Sequence, residues 1–270
     1  MKIHPSAIVD PGARLGDEVE IGPYASVGAA VEIGPATIVQ AHAVIEGAVR
    51  IGSANRIGPG AIIGGWPQDL NFKPGTRSSV EIGDRNVIRE NATIHRGTAA
   101  DSATRLGDDN FLMAGAHLGH NCIIGSKVII ANNCLLGGYV TVEDAAFLGG
   151  GCVFHQFMRV GRLAITQGLS AFSKDIPPFC LAAERNLVFG LNVIGLRRAG
   201  FSAAERAEVK RAFRLLYESG LNVTQALAKA DEEEWPAPAQ AFFDFVSESK
   251  RRGICALRRG REEAESGSDL

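Results

Sequence analysis

The chain has 270 residues, with 28 Lys and Arg against 30 Asp and Glu, and is 46% hydrophobic but only 7% aromatic. A net charge of −2 gives no reason to expect nucleic-acid binding, and no stretch approaches the roughly 20 apolar residues that a membrane-spanning helix needs. Five cysteines without a C-x-x-C pair, and an opening MKIHPSAIVD that enters a repeat at once instead of a leader, lead us to expect a cytoplasmic protein.

From the start, every sixth residue is aliphatic: Ile3, Val9, Leu15, Ile21, Val27, Ile33, Val39, Ile45, Ile51, Ile57 and Ile63. A second run, with Ile82, Ile88 and Ile94 ahead of it in the same register, extends from Leu106 through Leu112, Leu118, Ile124, Ile130, Leu136, Val142, Leu148 and Phe154 to Val160. Neither the helical period of 3.6 nor plain alternation leaves one hydrophobic position in six. A short strand followed by a corner does, wound around a triangular solenoid. The expected fold is therefore a hexapeptide-repeat parallel β-helix over residues 1–185. Glycines directly after the buried aliphatic, as at 119, 125, 137 and 149, are expected to serve tight geometry near a corner and not a phosphate loop. Cys122, Cys134 and Cys152 each follow a core aliphatic by four residues, a slot for small side chains, so buried thiols are expected.

Two segments break the repeat. Residues 64–81 include GGWPQDLNFKPGTRSSVE and shift the register by one between Ile63 and Ile82, so this stretch must be extruded as a loop, where function often resides. Residues 96–105 interrupt the pattern without changing its phase, which suits a second excursion, functional or passive. After Val160 the repeat fades, and Pro177-Pro178 leads toward a helical domain expected over 186–258. Ser202 with Glu205 spells a capping box, Val209, Ala212, Phe213, Leu216 and Tyr217 share one apolar face, and shorter helices are expected at 223–230 and 237–252. The last residues, 259–270, read as a disordered tail. From Arg197 to Arg261 there are 13 Lys and Arg against 9 Asp and Glu, which would draw an acidic protein partner or else form solvated helix faces.

If the repeat aliphatic points inward, its neighbours point outward. His95 and His155 then follow an aliphatic, His117 precedes one, and His120 lies two beyond, where a corner begins. His4 and His42 have no polar company and read as structural. Three hexads make one coil, so residues 18 apart stack at about the 4.8 Å strand spacing. Uninterrupted hexads from 106 to 160 place His120, Gly138 and Gln156 in one column, with Gly119, Gly137 and His155 in the next. A histidine facing an unhindered backbone N–H is a minimal kit for acyl transfer, one group taking a proton and the other holding an oxyanion. The same residues leave open a zinc site built on His95, His117 and His120, and a non-catalytic solenoid.

The segment GAHLGHNC around His117 and His120, together with IGDRNVIRENATIHRGT (82–98), QDL (68–70), HQF (155–157) and GLNVIGLRRAGF (190–201), resembles the UDP-N-acetylglucosamine O-acyltransferase family of lipid A synthesis. The resemblance covers about residues 1–255. It implies a left-handed helix, a homotrimer with active sites in the clefts between subunits, and transfer of a 3-hydroxyacyl chain from acyl carrier protein to the 3-hydroxyl of UDP-N-acetylglucosamine. No metal or organic cofactor is implied, because the carrier brings its own phosphopantetheine. Placed on matching positions, it implies His120 as general base and Gly138 as oxyanion donor, with Asp69 binding the sugar and His117 binding sugar or acyl groups nearby. His155, Gln156, Asn192 and Arg198 would contact acyl chain, phosphates or uracil, and Gly168 would be the hydrocarbon ruler, with Gln167 beside it. Asn71, Tyr139, Ile194 and Ala199 depart from the residues usual in the family and bear on the nucleotide contacts. Some relatives acylate a 3-amino sugar instead, an alternative acceptor for the same base.

Overall fold

A computed structural model describes residues 1–258, so the tail expected at 259–270 lies outside the described residues. Short strands, most of them two residues long, assemble into sheets of 12, 9 and 8 strands. From Lys2–Ile3 to Val153–Phe154 each strand pairs in parallel with the third strand after it, which is what a three-sided coil demands. The repeat aliphatics point into the prism: Ile45, Ile57, Ile63, Ile94, Leu112, Leu118, Ile130 and Leu136 are at most 1% exposed. Each such side chain contributes about 1.5–3 kcal/mol of hydrophobic stabilisation. Ile3, Val9 and Leu15 remain partly or largely exposed, because they belong to the first coil and have a neighbour on one side only.

The register also explains both breaks in the repeat. Val44 pairs with Ile62, 18 residues on, but Ile62 pairs with Thr93, 31 residues on, and Thr93 with His117, 24 on. The first excursion adds 13 residues (31 less 18), two hexads and one residue, hence the phase shift. The second adds six (24 less 18), hence none. The second is shorter than expected at its far end, since a strand has already resumed at Ser102–Leu106.

The glycine slot is tight as expected, and the tightness lies between coils rather than in the backbone angles. Left-handed backbone sits three residues after the aliphatic, in Tyr24, His42, Asn121, Tyr139 and Phe157, with φ between 57° and 65°. The glycine directly after the aliphatic is there because coils touch: a Cβ on Gly137 would stand 2.8 Å from the Gln156 backbone nitrogen. Cys122, Cys134 and Cys152 are buried free thiols, and burial pushes Cys122 up to about 12.

Beyond the last parallel rung, Leu187–Leu191 turns back antiparallel against Cys180–Ala183. Four helices follow, α1 (Val193–Arg198), α2 (Ala203–Tyr217), α3 (Val223–Ala230) and α4 (Ala237–Glu248). The Ser202–Glu205 capping box forms at the start of α2, and Val209, Ala212, Phe213 and Leu216 are its buried face. Helix α4 stops at Glu248, short of the expected 252, because the chain must turn to bring Ile254 beside Asp175 and Ala256 beside Leu187. The helical segment is thus tied back to the prism at both ends.

Candidate active site

The corner between the 9-stranded and 8-stranded sheets gathers the chemistry. His117–Leu118, Leu135–Leu136 and Val153–Phe154 pair in register, so the residues that follow each strand stack from coil to coil. The His120 ring lies directly against Gly138: a Cβ built there would be 2.5 Å from Nε2 and 2.8 Å from Nδ1. Only glycine admits the imidazole at this point. The amides of Gly137 and Tyr139 donate to Phe154 and His120 carbonyls, while that of Gly138 between them has no hydrogen-bond acceptor among the described residues. A half-buried imidazole and an unclaimed N–H therefore share one small space.

The tautomer of His120 follows from its neighbours. Asn121 Oδ1 accepts the Thr98 backbone N–H at 3.0 Å, and an amide hydrogen can only donate, so the atom facing it is oxygen. That same oxygen stands 3.1 Å from His120 Nδ1, which must then carry the proton. Nε2 is left with its lone pair, the form a general base requires. His117 borders the site from the outward face of the preceding strand, with Nδ1 2.7 Å from Thr93 Oγ1. His95 packs edge-on against it at 4.9 Å and has a buried Nδ1 without a hydrogen-bond partner among the described residues. Burial and then the charges of His117 and His120 lower His95 to about 4, so it is neutral near pH 7. Burial likewise lowers His117. Among the described residues no three His, Cys, Asp or Glu side chains converge in a metal-holding group.

The second excursion is tied to this corner, since its Thr98 bonds Asn121 and also reaches the Tyr139 hydroxyl at 3.0 Å. Asp69 sits in the first excursion, half-buried, with Oδ1 accepting the Asn71 N–H at 2.8 Å. That bond uses the backbone amide of Asn71 and not its side chain. Arg96, only 9% exposed, anchors the loop by donating to the Pro74 carbonyl and lying over the Phe72 ring.

His155 and Gln156 are exposed one coil above Gly138, where Arg252 donates to the Gln156 carbonyl at 2.7 Å and meets His155 Nδ1 at 3.0 Å. Gly168 is exposed between Gln167 and Leu169, but it follows a strand of the 12-stranded sheet. It therefore stands on a different corner from His120, and one chain does not bring the two together. Asn192 caps α1: Oδ1 accepts the Gly195 N–H and Nδ2 donates to the Leu163 carbonyl, both at 2.9 Å. Arg198 is exposed in the last turn of α1, and no ion pair holds it among the described residues.

A family model described as "Udp N-acetylglucosamine O-acyltransferase; Domain 2" matches residues 175–255, and one for bacterial transferase hexapeptides matches residues 103–138. An acyl-[acyl-carrier-protein]–UDP-N-acetylglucosamine O-acyltransferase of Paraburkholderia phymatum is 47% identical over 257 residues, covering 93% of this chain and 98% of the relative. The chain belongs to the UDP-N-acetylglucosamine O-acyltransferase family. A solved UDP-N-acetylglucosamine acyltransferase from Campylobacter jejuni superposes with a TM-score of 0.90 at 39% identity, over 95% of this chain and all (100%) of that one. The Francisella novicida enzyme gives 0.90 at 36% identity, over 99% of both. The fold is accordingly the left-handed parallel β-helix of the family, with its C-terminal helices. As a UDP-N-acetylglucosamine O-acyltransferase family member, the chain has three residues at its site that the sequence reading did not place there. By sequence His95 reads only as a metal candidate. Asn121 was hidden in an ordinary corner slot where Asn suits positive φ. Thr98 lies in an excursion whose path no period predicts.

Proposed function

We propose that this chain transfers a 3-hydroxyacyl group from acyl carrier protein to the 3-hydroxyl of UDP-N-acetylglucosamine, the first step of lipid A biosynthesis. The observation that carries the reading is the His120 ring against Gly138 beside an unclaimed N–H, in a chain of this family. His120 Nε2 takes the proton from the sugar hydroxyl as its oxygen attacks the thioester carbon. The Gly138 N–H receives the oxyanion. Collapse of that intermediate breaks the carbon–sulfur bond, and the imidazolium returns the proton to the departing phosphopantetheine thiolate. No step needs a metal or an organic cofactor. Asp69 on its extruded loop and His117 bind the sugar, while His155 and Gln156 line the path of the incoming acyl group or nucleotide. Arg198 offers a fork suited to phosphate oxygens. Asn192 acts on the nucleotide mainly through α1, whose first turn it caps.

The trimer is part of this proposal. On the 8-stranded sheet the outward slot carries a ladder of charges, with Glu32 between Arg14 and Arg50 and Glu81 bound to Arg105. On the 12-stranded sheet the same slot holds Phe111, Ile129, Phe147 and Ile165, and on the 9-stranded sheet Ile62, Leu135 and Val153 are 39–44% exposed. Outward apolar residues are thus concentrated on the upper coils of the 12- and 9-stranded sheets, although Lys2, Glu20 and Arg56 share the slot on the first of these and Ile123 sits on the charged face, a distribution that suits a prism meeting a copy of itself on each of two sides. Neighbouring chains would also bring a Gly168 corner to a His120 corner, completing an acyl groove. Light scattering is expected to return three times the chain mass; a monomer at assay concentration ends this part of the reading. The reading places the protein in the cytoplasm with its water-soluble substrates, and among the described residues no helix is long and apolar enough to cross a membrane.

The reaction itself is tested with UDP-N-acetylglucosamine against a ladder of 3-hydroxyacyl carrier proteins, run beside the 3-amino sugar analogue. Transfer to the hydroxyl sugar with one preferred chain length is the expected result. Turnover of the amine alone replaces the acceptor, and no turnover of either sugar overturns the assignment.

A further inference from the structure

Around His120 there is more structure than the proposed chemistry uses. The Thr98 hydroxyl donates to Asn121 Oδ1 at 3.0 Å, which leaves Thr98 Oγ1 to accept from the Tyr139 hydroxyl, also at 3.0 Å. The result is a directed chain: Tyr139 donates to Thr98, Thr98 to Asn121, and His120 Nδ1–H to the same Asn121 oxygen. The Tyr139 ring closes this chain into a loop, meeting the His120 imidazole edge-on at 5.2 Å and 85°.

Tyr139 itself has little freedom. Its other contact is the Phe157 ring, stacked at 4.6 Å and 10° one coil above, and Arg251 lies over the far side of that ring at 3.7 Å. The Tyr139 backbone, in left-handed conformation, donates to the His120 carbonyl at 2.9 Å. Hydroxyl, ring face and backbone are thus all held, although the residue touches neither the attacking oxygen nor the oxyanion position as proposed.

An imidazole on two rotatable bonds with one 3.1 Å hydrogen bond has room to swing, and a base misplaced by an ångström loses much of its effect. An edge-on ring blocks rotation about the second of those bonds, and a clamped Asn121 oxygen keeps the proton on Nδ1. We propose that Thr98 and Tyr139 are positioning residues for His120, with Thr98 fixing the amide that sets the imidazole tautomer and Tyr139 fixing the plane of its ring. This inference rests on His120 being the base. It gives the six-residue excursion a task, because Thr98 reaches the corner only when the chain leaves the coil between Ile94 and Leu106. It also makes the departure at position 139 purposeful, since a tyrosine hydroxyl spans to Thr98.

The test uses the intact protein and the near-isosteric variants Thr98→Val and Tyr139→Phe, singly and together, in steady-state transfer. Each single variant is expected to lose about 3- to 30-fold in kcat while KM for UDP-N-acetylglucosamine stays within about two-fold. The double variant is expected to fall no further than the weaker single one, because both break the same chain of hydrogen bonds. Tyr139→Ala, which also removes the ring, should fall below Tyr139→Phe, and the phenylalanine then restores the share owed to ring contact. Unchanged kcat in both single variants, a loss carried in KM, or losses that multiply in the double variant would each overturn the proposal. Wild-type turnover in His120→Ala is a separate outcome, removing the base and with it the reason for positioning it.

Discussion

His120→Ala is expected to lower kcat by ~10² to 10⁴, leaving KM for UDP-N-acetylglucosamine within about two-fold and the protein folded. The size follows from what the residue does in the proposed reaction. A positioned base is needed only as the hydroxyl proton leaves, so its loss falls on the transition state more than on binding. Stability should change little, because the ring is half-buried at a corner, where it meets Gly138, Asn121 and Tyr139. Steady-state kinetics beside a thermal melt separate the two effects. Wild-type turnover in a folded variant would falsify the assignment.

Gly138→Ala should be nearly as damaging, by a different route. The added methyl would occupy the space of the imidazole, 2.5 Å from Nε2, so the ring must swing away. Gly138 does not have positive φ, so alanine fits the backbone there, and the amide stays where it was. The loss, about 10² to 10³ in kcat, therefore reports displacement of the base, with any effect on the oxyanion secondary. Combined with His120→Ala it should cost nothing further, since there is then no ring to displace. Gly137→Ala supplies the contrast. Its methyl would meet the Gln156 backbone, which cannot step aside, so that variant should melt earlier. Full kcat in Gly138→Ala, with the ring still in place by crystallography, would mean the site has more room than the coil spacing allows.

The fold was legible because a solenoid core is one-dimensional. A single aliphatic in six residues names both the strand and the direction in which it points, and an 18-residue interval names the neighbour above. That arithmetic was enough to put His120 beside Gly138, and the capping box of α2 was readable from Ser202 and Glu205 alone. What escaped lay off the repeat. Thr98 sits in an excursion with no period, so its bond to Asn121 could not be inferred, and without that bond the tautomer of His120 was undetermined. Gly168 escaped for another reason: its position on a different corner is implied by the hexad count, but what a corner faces depends on a second chain. Asn192 shows the limit of transferring roles by motif. Its side chain is engaged in capping α1 and holding Leu163, work invisible until the two segments are seen together.

The two excursions also say how the prism handles mistakes of length. Thirteen extra residues before Ser79 and six before Ser102 leave the pairing of Ile82 with Ile51 and of Leu106 with Ile82 in step. In a coiled coil an insertion of the wrong size is passed along both helices as altered winding. Here it is discharged at the corner where it occurs, and every later rung is indifferent to it. Local acquisition of new binding segments is therefore cheap on this scaffold, while the distance from the His120 ring to the Gly138 amide, set by the spacing of adjacent coils, is insulated from whatever the loops become.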